Sequence, residues 1–243
     1  MMAPLAYDVG MNNGDDSRYY LDKGFSVIGI EADPSLCAFC RDRFRDEIAS
    51  GRMTVVNVGV GLDEGESDFY INKRQDTLST FRPDDHDSTK WEIKPVQMRR
   101  LSSLIREFGI PTYVKIDVEH HDHFVLIDLY NNSICPPYIS AEAHTIEIYC
   151  VLVMMGYEQF ALVEGEKVAQ RYGNHRIRRI DGTDMPYSFE LHTSGPFGDD
   201  LDLEWVGKLA LLKQLLACGL GWVDIHARRL PGDTQPLGAG RWG

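Results

Sequence analysis

The sequence predicts an α/β fold in which helices cover both faces of a mostly parallel β-sheet. The first observation is that short apolar runs alternate with helical segments along the chain, as they do in parallel sheets. The second is that the first apolar run ends in a glycine-rich turn followed by helix-capping residues. The third is the composition, since 43% hydrophobic and 26% charged residues among 243 are typical of a globular protein with a sizeable core.

Two β-α units open the chain. The apolar run from Leu5 to Val9 predicts a strand, and Asp15-Asp16-Ser17 predicts the start of a helix that ends near Lys23. The second unit has a predicted strand over Phe25–Ile30 and a predicted helix over Ser35–Ser50.

The later elements follow with one interruption. Arg52–Val60 predicts a third strand and Ser67–Asn72 an antiparallel edge, while Lys73–Glu92 has no clear period and is expected to be a loop over the sheet. The remaining predictions are helices over Leu101–Phe108, Asp122–Tyr130, Thr145–Met155 and Leu203–Leu220, and strands over Tyr113–Val118, Tyr138–Ala141, Tyr157–Val163 and Tyr187–Leu191, the last of them antiparallel.

The charge and the cysteines narrow the possible partners. With 25 Lys and Arg against 37 Asp and Glu, the formal charge is -12, which disfavours binding to nucleic acid or to anionic lipid. No apolar segment reaches the roughly 18 residues of a membrane span, and the N-terminus lacks a signal-peptide pattern. The five cysteines are irregularly spaced, and Cys37 and Cys40 lack the second pair of a zinc site. We therefore expect a cytoplasmic protein with no nucleic acid or membrane partner.

The first β-α turn, from Gly10 to Gly14, is a candidate ligand site. Its two glycines are four residues apart, whereas a dinucleotide fingerprint has three glycines in the pattern G-x-G-x-x-G. Asn12 occupies the position of the second glycine, which normally lets a pyrophosphate approach the backbone. The turn therefore favours a ligand without phosphates over NAD or FAD.

Glu31 ends the second predicted strand, 17 residues after Gly14. An acidic side chain at this place can accept hydrogen bonds from both hydroxyls of a ribose. Asn57 or Gly59, near the end of the third strand, would then border an adenine ring. The alternative is that Glu31 only stabilises the N-terminus of the following helix.

Four segments occur in order along the chain: Tyr7-Asp-Val-Gly-Met-Asn-Asn-Gly-Asp15, Gly29-Ile-Glu-Ala-Asp-Pro34, Val55-Val-Asn-Val-Gly59 and Val114-Lys-Ile-Asp-Val-Glu119. With them, residues 5–163 resemble the S-adenosylmethionine-dependent methyltransferases of the FkbM type. The resemblance implies the class I methyltransferase fold, a Rossmann-like, doubly wound sheet of seven strands with an antiparallel last strand. It also implies S-adenosyl-L-methionine as the cofactor and methyl transfer to a hydroxyl oxygen.

The resemblance also implies the places of several cofactor residues. Gly10, Asn13 and Gly14 would border the methionine part, Glu31 would hold the ribose, and Asp117 would lie beside the reacting methyl group. We expect a single domain over 1–243, with residues 5–163 as the cofactor-binding core and 164–243 as an extension that shapes the acceptor site. The Gly- and Pro-rich composition after about residue 229 predicts a mobile tail. The expected cofactor residues are Asp8, Gly10, Asn12, Asn13, Gly14, Glu31, Ala32, Asn57, Val58 and Asp117.

The chain departs from the family after Glu119, where Gly-x-Glu is usual and His120-His121-Asp122 stands here. Asp117 and Glu119 are two residues apart on a predicted strand and so point to one face, and Glu142-Ala-His144 ends the neighbouring strand. Asp117, Glu142 and His144 are therefore a candidate site for Mg²⁺, which binds carboxylates and acidifies a bound hydroxyl. The alternative is that the histidines are exposed at a helix start and the carboxylates cap it or orient the cofactor.

Methyl transfer to an alcohol releases a proton, so a general base is expected. The expected catalytic residues are Asp117, Glu119, His120 and His144, and Glu142 is a further candidate base; the sequence does not rank them. Two polar loops, Asp76–Thr80 and His192–Asp200, are expected to shape the acceptor pocket.

The sequence thus predicts a methyltransferase that modifies a hydroxyl of a small molecule, a sugar or a natural product. Two alternatives stay open. One is a non-catalytic module that keeps the cofactor pocket, and the other is a nucleotide-dependent oxidoreductase, against which the missing middle glycine argues. The sequence does not identify the acceptor or the oligomeric state.

Overall fold

The computed structural model of the chain describes residues 3–83, 87 and 89–230. Most of the predicted strands and helices are present, with their ends shifted. The strands are β1 (Leu5–Val9), β2 (Ser26–Glu31), β3 (Met53–Asn57), β4 (Gly59–Val60), β5 (Gly65–Asn72), β6 (Trp91–Arg99), β7 (Tyr113–Ile116), β8 (Tyr138–Glu142), β9 (Gln159–Glu164), β10 (His175–Arg178), β11 (Asp184–Tyr187) and β12 (Val223–Arg228). The helices are α1 (Asp15–Lys23), α2 (Pro34–Arg43), α3 (Arg45–Ala49), α4 (Leu101–Phe108), α5 (Asp122–Asn131), α6 (Ile146–Met154), α7 (Val168–Tyr172) and α8 (Lys208–Cys218).

Seven strands form the central sheet in the order β3-β2-β1-β7-β8-β12-β9. Its strands β3, β2, β1, β7 and β8 are parallel to one another, and β12 runs antiparallel between β8 and β9. The predicted α/β class, with a mostly parallel seven-stranded sheet and a reversed last strand, is confirmed. Because β1, β2 and β7 are parallel, their carboxyl ends lie at the same edge of the sheet. The chain places β2 on one side of β1 and β7 on the other, and open α/β sheets bind ligands at such a switch point.

The sheet is buried on both faces, as a parallel sheet requires. Tyr7 and Val9 of β1 belong to one apolar core, and the intervening strand residue Ala6 belongs to the other. The first core also takes in residues of α4, α5, α6 and α8. The second combines α1 with side chains from 168–201, so the C-terminal part of the chain covers one face of the sheet.

A smaller sheet beside the central one differs from the prediction. It has the order β4-β6-β5. Its strand β6 begins at Trp91, inside the segment expected to be a loop, and continues to Arg99, where no strand was predicted. Lys94 and Pro95 within β6 hide its strand character. The predicted third strand divides at Val58 into β3 and β4, and the helix predicted over Ser35–Ser50 divides at Phe44.

The prediction of a last strand at Tyr187–Leu191 was wrong. Asp184–Tyr187 pairs with His175–Arg178 in a separate hairpin, and the reversed strand of the main sheet is Val223–Arg228. This strand escaped detection because Asp224 and His226, both buried, interrupt its apolar pattern. The tail predicted to be mobile lies, from residue 231 onward, outside the described residues. Within the described residues, no helix has the length and apolarity to span a membrane.

Asp200 fastens the C-terminal part of the chain to α1. Its carboxylate accepts hydrogen bonds from Lys23 Nζ at 2.6 Å, from Tyr19 Oη at 2.8 Å and from the Arg178 backbone N–H at 2.8 Å. Nearby, the Phe197 ring stacks on Tyr113 with 3.8 Å between ring centroids. A buried ion pair and an aromatic stack therefore hold residues 197–200 under the sheet.

We predict that Asp200→Ala lowers the free energy of unfolding by on the order of 3 kcal/mol, because it leaves the buried Lys23 ammonium without its carboxylate. Asp199→Ala is the matched control, since the Asp199 side chain is 83% exposed and its variant should stay within about 0.5 kcal/mol of wild type. Urea unfolding followed by circular dichroism measures both. Equal stability of the two variants would contradict this account of the ion pair.

Candidate functional site

A cavity of about 530 Å³ opens at the carboxyl ends of the parallel strands. Its size is in the range of small-molecule sites, and its position is the one at which open α/β sheets bind ligands. The sequence-predicted residues on its wall are Gly10, Asn12, Asn13, Glu31, Ala32, Val58, Asp117, Glu119, His120, Glu142 and His144.

Three other predicted cofactor residues lie behind the wall. Asp8 is fully buried and accepts a hydrogen bond from Ser17 Oγ at 2.6 Å. Gly14 caps α1 with a φ of 84°. The Asn57 side-chain amide donates to the backbone oxygen of Glu31 at 2.9 Å. These three residues support the loops of the cavity.

Gly10 permits the tight crossing of two loops at the floor of the cavity. Its φ is +80°, a conformation that favours glycine, and a Cβ atom here would lie 1.7 Å from the backbone oxygen of Asp117. The backbone N–H groups of Gly10 and Met11 both donate to Ile30 at 3.0 Å. The first glycine of the turn is therefore required by the backbone itself.

Glu31 presents a buried carboxylate at the end of β2. Its Oε2 atom accepts the Asn12 backbone N–H and its Oε1 atom accepts that of Asp33, each at 2.8 Å. Burial raises the pKa of this carboxyl to about 7 although the two hydrogen bonds oppose the shift. The carboxylate thus joins the first two loops and still borders the cavity.

Lys115, which sequence reasoning missed, lies at the centre of the site. Its Nζ donates to the Gly10 backbone oxygen at 2.9 Å and lies 3.2 Å from Asp117, 3.5 Å from Asp8 and 3.7 Å from Asp16. Burial disfavours the ammonium, but the three carboxylates outweigh burial and raise the pKa of Lys115. The sequence offers one sign of this role: Lys115 is a charged residue within an otherwise apolar predicted strand, two positions before Asp117.

His144 lies between two carboxylates. Its Nε2 atom is 2.9 Å from Glu142 Oε2 and 3.5 Å from Glu119 Oε2. Burial lowers the pKa of His144, but the two carboxylates outweigh burial and raise the pKa to about 11. Burial raises the pKa of Glu142, so its charge depends on this neighbouring cation. Without a bound ion, the two carboxylates therefore favour the imidazolium form of His144.

The turn after β7 places a second imidazole beside the first. Glu119 and His120 both have left-handed backbones, with φ of 42° and 67°, which cost energy in residues other than glycine. The His120 and His144 rings lie 4.4 Å apart, and Thr80 Oγ1 donates to the Glu119 backbone oxygen at 2.8 Å. The turn thus projects an exposed His120 into the cavity.

The donor atoms that come together differ from the set predicted for Mg²⁺. Within the part of the chain that is described, Glu119, Glu142 and His144 place one ligand atom each within 4.8 Å of one another. Asp117 is outside this group and contacts Lys115 instead. Because β7 ends at Ile116 and Glu119 has a positive φ, the alternation that put Asp117 and Glu119 on one face does not extend this far.

A comparison with known families decides the relationship. Residues 8–164, more than half of the chain, match the methyltransferase FkbM domain. The chain belongs to the FkbM methyltransferase family. The resemblance found in the sequence is thereby confirmed, and the family is one of methyltransferases rather than oxidoreductases. No curated protein matches the FkbM chain by sequence.

Solved methyltransferase structures show distant likeness to this FkbM chain. A methyltransferase FkbM from Methylobacillus flagellatus KT is 19% identical over 66% of this chain and 40% of that one, with a TM-score of 0.47. The C-terminal domain of precorrin-6Y C5,15-methyltransferase from Rhodobacter capsulatus is 13% identical over 94% of this chain and 82% of that one, with a TM-score of 0.40. Phosphoethanolamine N-methyltransferase 2 from Haemonchus contortus, in complex with S-adenosyl-L-methionine, is 12% identical over 95% of this chain and 49% of that one, with a TM-score of 0.41.

The two loops expected to shape the acceptor pocket of this FkbM domain contribute unequally. Thr77, Leu78 and Ser79 of the first loop line the cavity. From the second loop only His192 does so, and the Trp222 ring stacks on it at 5.4 Å. Trp222, which immediately precedes β12, was missed because that strand was not predicted.

We predict that the His144 ring of the FkbM domain is protonated at neutral pH because Glu119 and Glu142 flank it. His121 and His226 serve as controls within the same protein, since burial lowers the pKa of His121 to about 4 and that of His226 to about 3. Nitrogen-15 chemical shifts of the imidazoles, assigned with single histidine variants, distinguish the two forms. Titration of His144 near the ordinary value of 6.5 would refute the proposed pairing.

Proposed function

We propose that this FkbM methyltransferase takes its methyl group from S-adenosyl-L-methionine and transfers it to a hydroxyl oxygen of a small molecule or sugar. The observation that carries the proposal is one cavity with Glu31 on one side and the Glu119–His120–Glu142–His144 cluster on the other. Strands β2 and β8 are three places apart in the sheet, or roughly 14 Å at the usual strand spacing. This distance leaves room for a nucleoside beside Glu31 and a reacting centre beside the cluster.

The residues on the β1 and β2 side fit this cofactor. The Glu31 carboxylate borders the cavity and can accept ribose hydroxyls, and Ala32 and Val58 offer apolar surface for an adenine ring. Gly10 and Asn13 border the space for the methionine part. When bound, S-adenosylmethionine would supply a methyl group on a positively charged sulfur. An acceptor oxygen would bind the methyl carbon in line, and the carbon–sulfur electron pair would stay on the departing sulfur.

Asp117 and Lys115 set the charge around the reacting centre. The Asp117 carboxylate is partly exposed to the cavity, where it can face a positive group, while its Oδ2 atom is held 3.2 Å from Lys115. The Lys115 side chain is 4% exposed, so its charge acts on the carboxylate rather than on solvent. We assign Asp117 to cofactor orientation.

His120 is the general base in this proposal. A neutral hydroxyl that gains a methyl group must lose its proton, and a group within hydrogen-bond reach must accept it. The two carboxylates beside His144 favour its protonated form, whereas the His120 ring is exposed on the cavity wall. Glu119 and Glu142 therefore act through His144, as positioning residues for the pair of imidazoles.

The acceptor side and the compartment complete the proposal. The polar loop that includes Thr77 and Ser79, together with the stacked His192 and Trp222 rings, surrounds the open part of the cavity. A polar and aromatic surface of this kind suits a hydroxylated small molecule. All five cysteines are free, which fits the reducing cytoplasm.

We predict that Glu31→Gln weakens the binding of S-adenosylhomocysteine by about 1–3 kcal/mol, because it removes charge-assisted hydrogen bonds to the ribose. Isothermal titration calorimetry measures the change. Glu66→Gln, at an exposed position of β5, is the matched control and should bind like wild type. Unchanged affinity in Glu31→Gln would exclude the ribose assignment, and absence of binding to the wild type would exclude the cofactor.

We predict that His120→Asn lowers kcat for methyl transfer by about 10²–10⁴-fold without changing the affinity for S-adenosylhomocysteine. Asparagine is chosen because it tolerates the left-handed backbone. Radiolabelled methyl transfer to a panel of sugars and alcohols provides the assay, with His123→Asn as the control outside the cavity. A wild-type rate and pH profile in His120→Asn would show that another group takes the proton.

A further inference from the structure

The spacing of the Glu119–Glu142–His144 cluster fits a bound cation. One oxygen of each carboxylate and one nitrogen of His144 all lie within 4.8 Å of one another. The two contacts of His144 Nε2 are 2.9 Å and 3.5 Å long. Two ligands that bind one ion at about 2.1 Å, in octahedral or tetrahedral positions, lie roughly 3.0–3.4 Å apart. The two contacts of His144 are close to this spacing, and the two carboxylate oxygens lie within 4.8 Å of each other.

The contacts of His144 do not have the geometry of hydrogen bonds. Its Nε2 atom is buried, and among the described residues it has no hydrogen-bond partner although two carboxylate oxygens are close. An N–H group aimed at either oxygen would make such a bond at these distances. The nitrogen is thus an orphaned polar atom beside two oxygens, and a cation that displaces the proton of His144 would bridge all three atoms.

Further acidic side chains lie buried around the cluster. Asp122 is 1% exposed, its Oδ2 atom is buried without a hydrogen-bond partner in the described part of the chain, and its charge acts on His144. Asp224 is 4% exposed and lies directly opposite Glu142 in the pairing of β8 with β12. Lys115 already contacts three other carboxylates. A bound cation would give these buried acidic groups a partner of opposite charge.

We propose that Glu119, Glu142 and His144 bind one divalent transition-metal ion on the wall of the cavity. One imidazole with two carboxylates suits an ion such as Mn²⁺ better than Mg²⁺, which prefers oxygen ligands. Three protein ligands leave positions open toward the cavity, as in catalytic metal sites. An acceptor hydroxyl can bind and be polarised there, and this role, unlike metal binding itself, rests on the proposed function.

Titration of the metal-free full chain with Mn²⁺ tests the site, with neither S-adenosylmethionine nor acceptor present. The electron paramagnetic resonance signal of free Mn²⁺ should reveal one bound ion per chain. Glu119→Gln and Glu142→Gln should each weaken Mn²⁺ binding by at least about tenfold. Glu147→Gln is the matched control, since Glu147 is exposed in the first turn of α6 and should not affect binding.

Two results would overturn the proposal. The first is the absence of saturable Mn²⁺ binding to the wild type. The second is loss of Mn²⁺ binding in Asp117→Asn with unchanged binding in Glu119→Gln, which would favour the ligands expected from the sequence. S-adenosylhomocysteine binding, measured on the same samples, separates the two proposals: wild type that binds S-adenosylhomocysteine but not Mn²⁺ contradicts the metal site alone, and the reverse contradicts the proposed cofactor alone.

Discussion

The Lys115 ammonium, buried beneath the cavity, joins the parts of the molecule that form the site. It lies within 3.7 Å of carboxylates from β1, α1 and the loop after β7, and it also binds the Gly10 backbone oxygen. Burial of a charge is costly unless it is paired and hydrogen-bonded, so each of these elements has a fixed place around the ammonium. The Gly10 turn, the position of Asp117 and the start of α1 all depend on this one interaction.

The C-terminal part of the chain is built onto the same centre. Asp16, one of the carboxylates beside Lys115, also accepts the Ser194 backbone N–H at 3.1 Å. Asp200 contacts Lys23 of α1, and β12 enters the sheet beside β8, which places Trp222 at the edge of the cavity and Asp224 opposite Glu142. Residues far apart in the chain thereby form the proposed acceptor side, while local turns after β1 and β2 form the proposed cofactor side.

This division explains which features could be predicted from the sequence. The Gly10 turn and Glu31 are local, because each follows an apolar run and needs only its own β-α unit to be recognised. Strand β12 was missed because buried Asp224 and His226 interrupt its apolar pattern, and their burial follows from tertiary pairing.

The cluster of Glu119, His120, Glu142 and His144 was only partly predictable for a different reason. The sequence shows the residue types and predicts that the ends of adjacent strands lie close together, so His120, Glu142 and His144 were all expected near one another. Strand alternation was extended to Glu119, but the strand ends at Ile116 and the left-handed backbone of Glu119 sends its side chain to His144. Non-glycine residues rarely adopt this conformation, so the sequence pattern carried no signal for it.

A crystal structure of the chain with S-adenosylhomocysteine would show where the nucleoside binds. We expect both ribose hydroxyls within hydrogen-bond distance of the Glu31 carboxylate and the sulfur between Asp117 and His120. A nucleoside bound elsewhere, with Glu31 bonded only to the backbone of Asn12 and Asp33, would contradict this expectation.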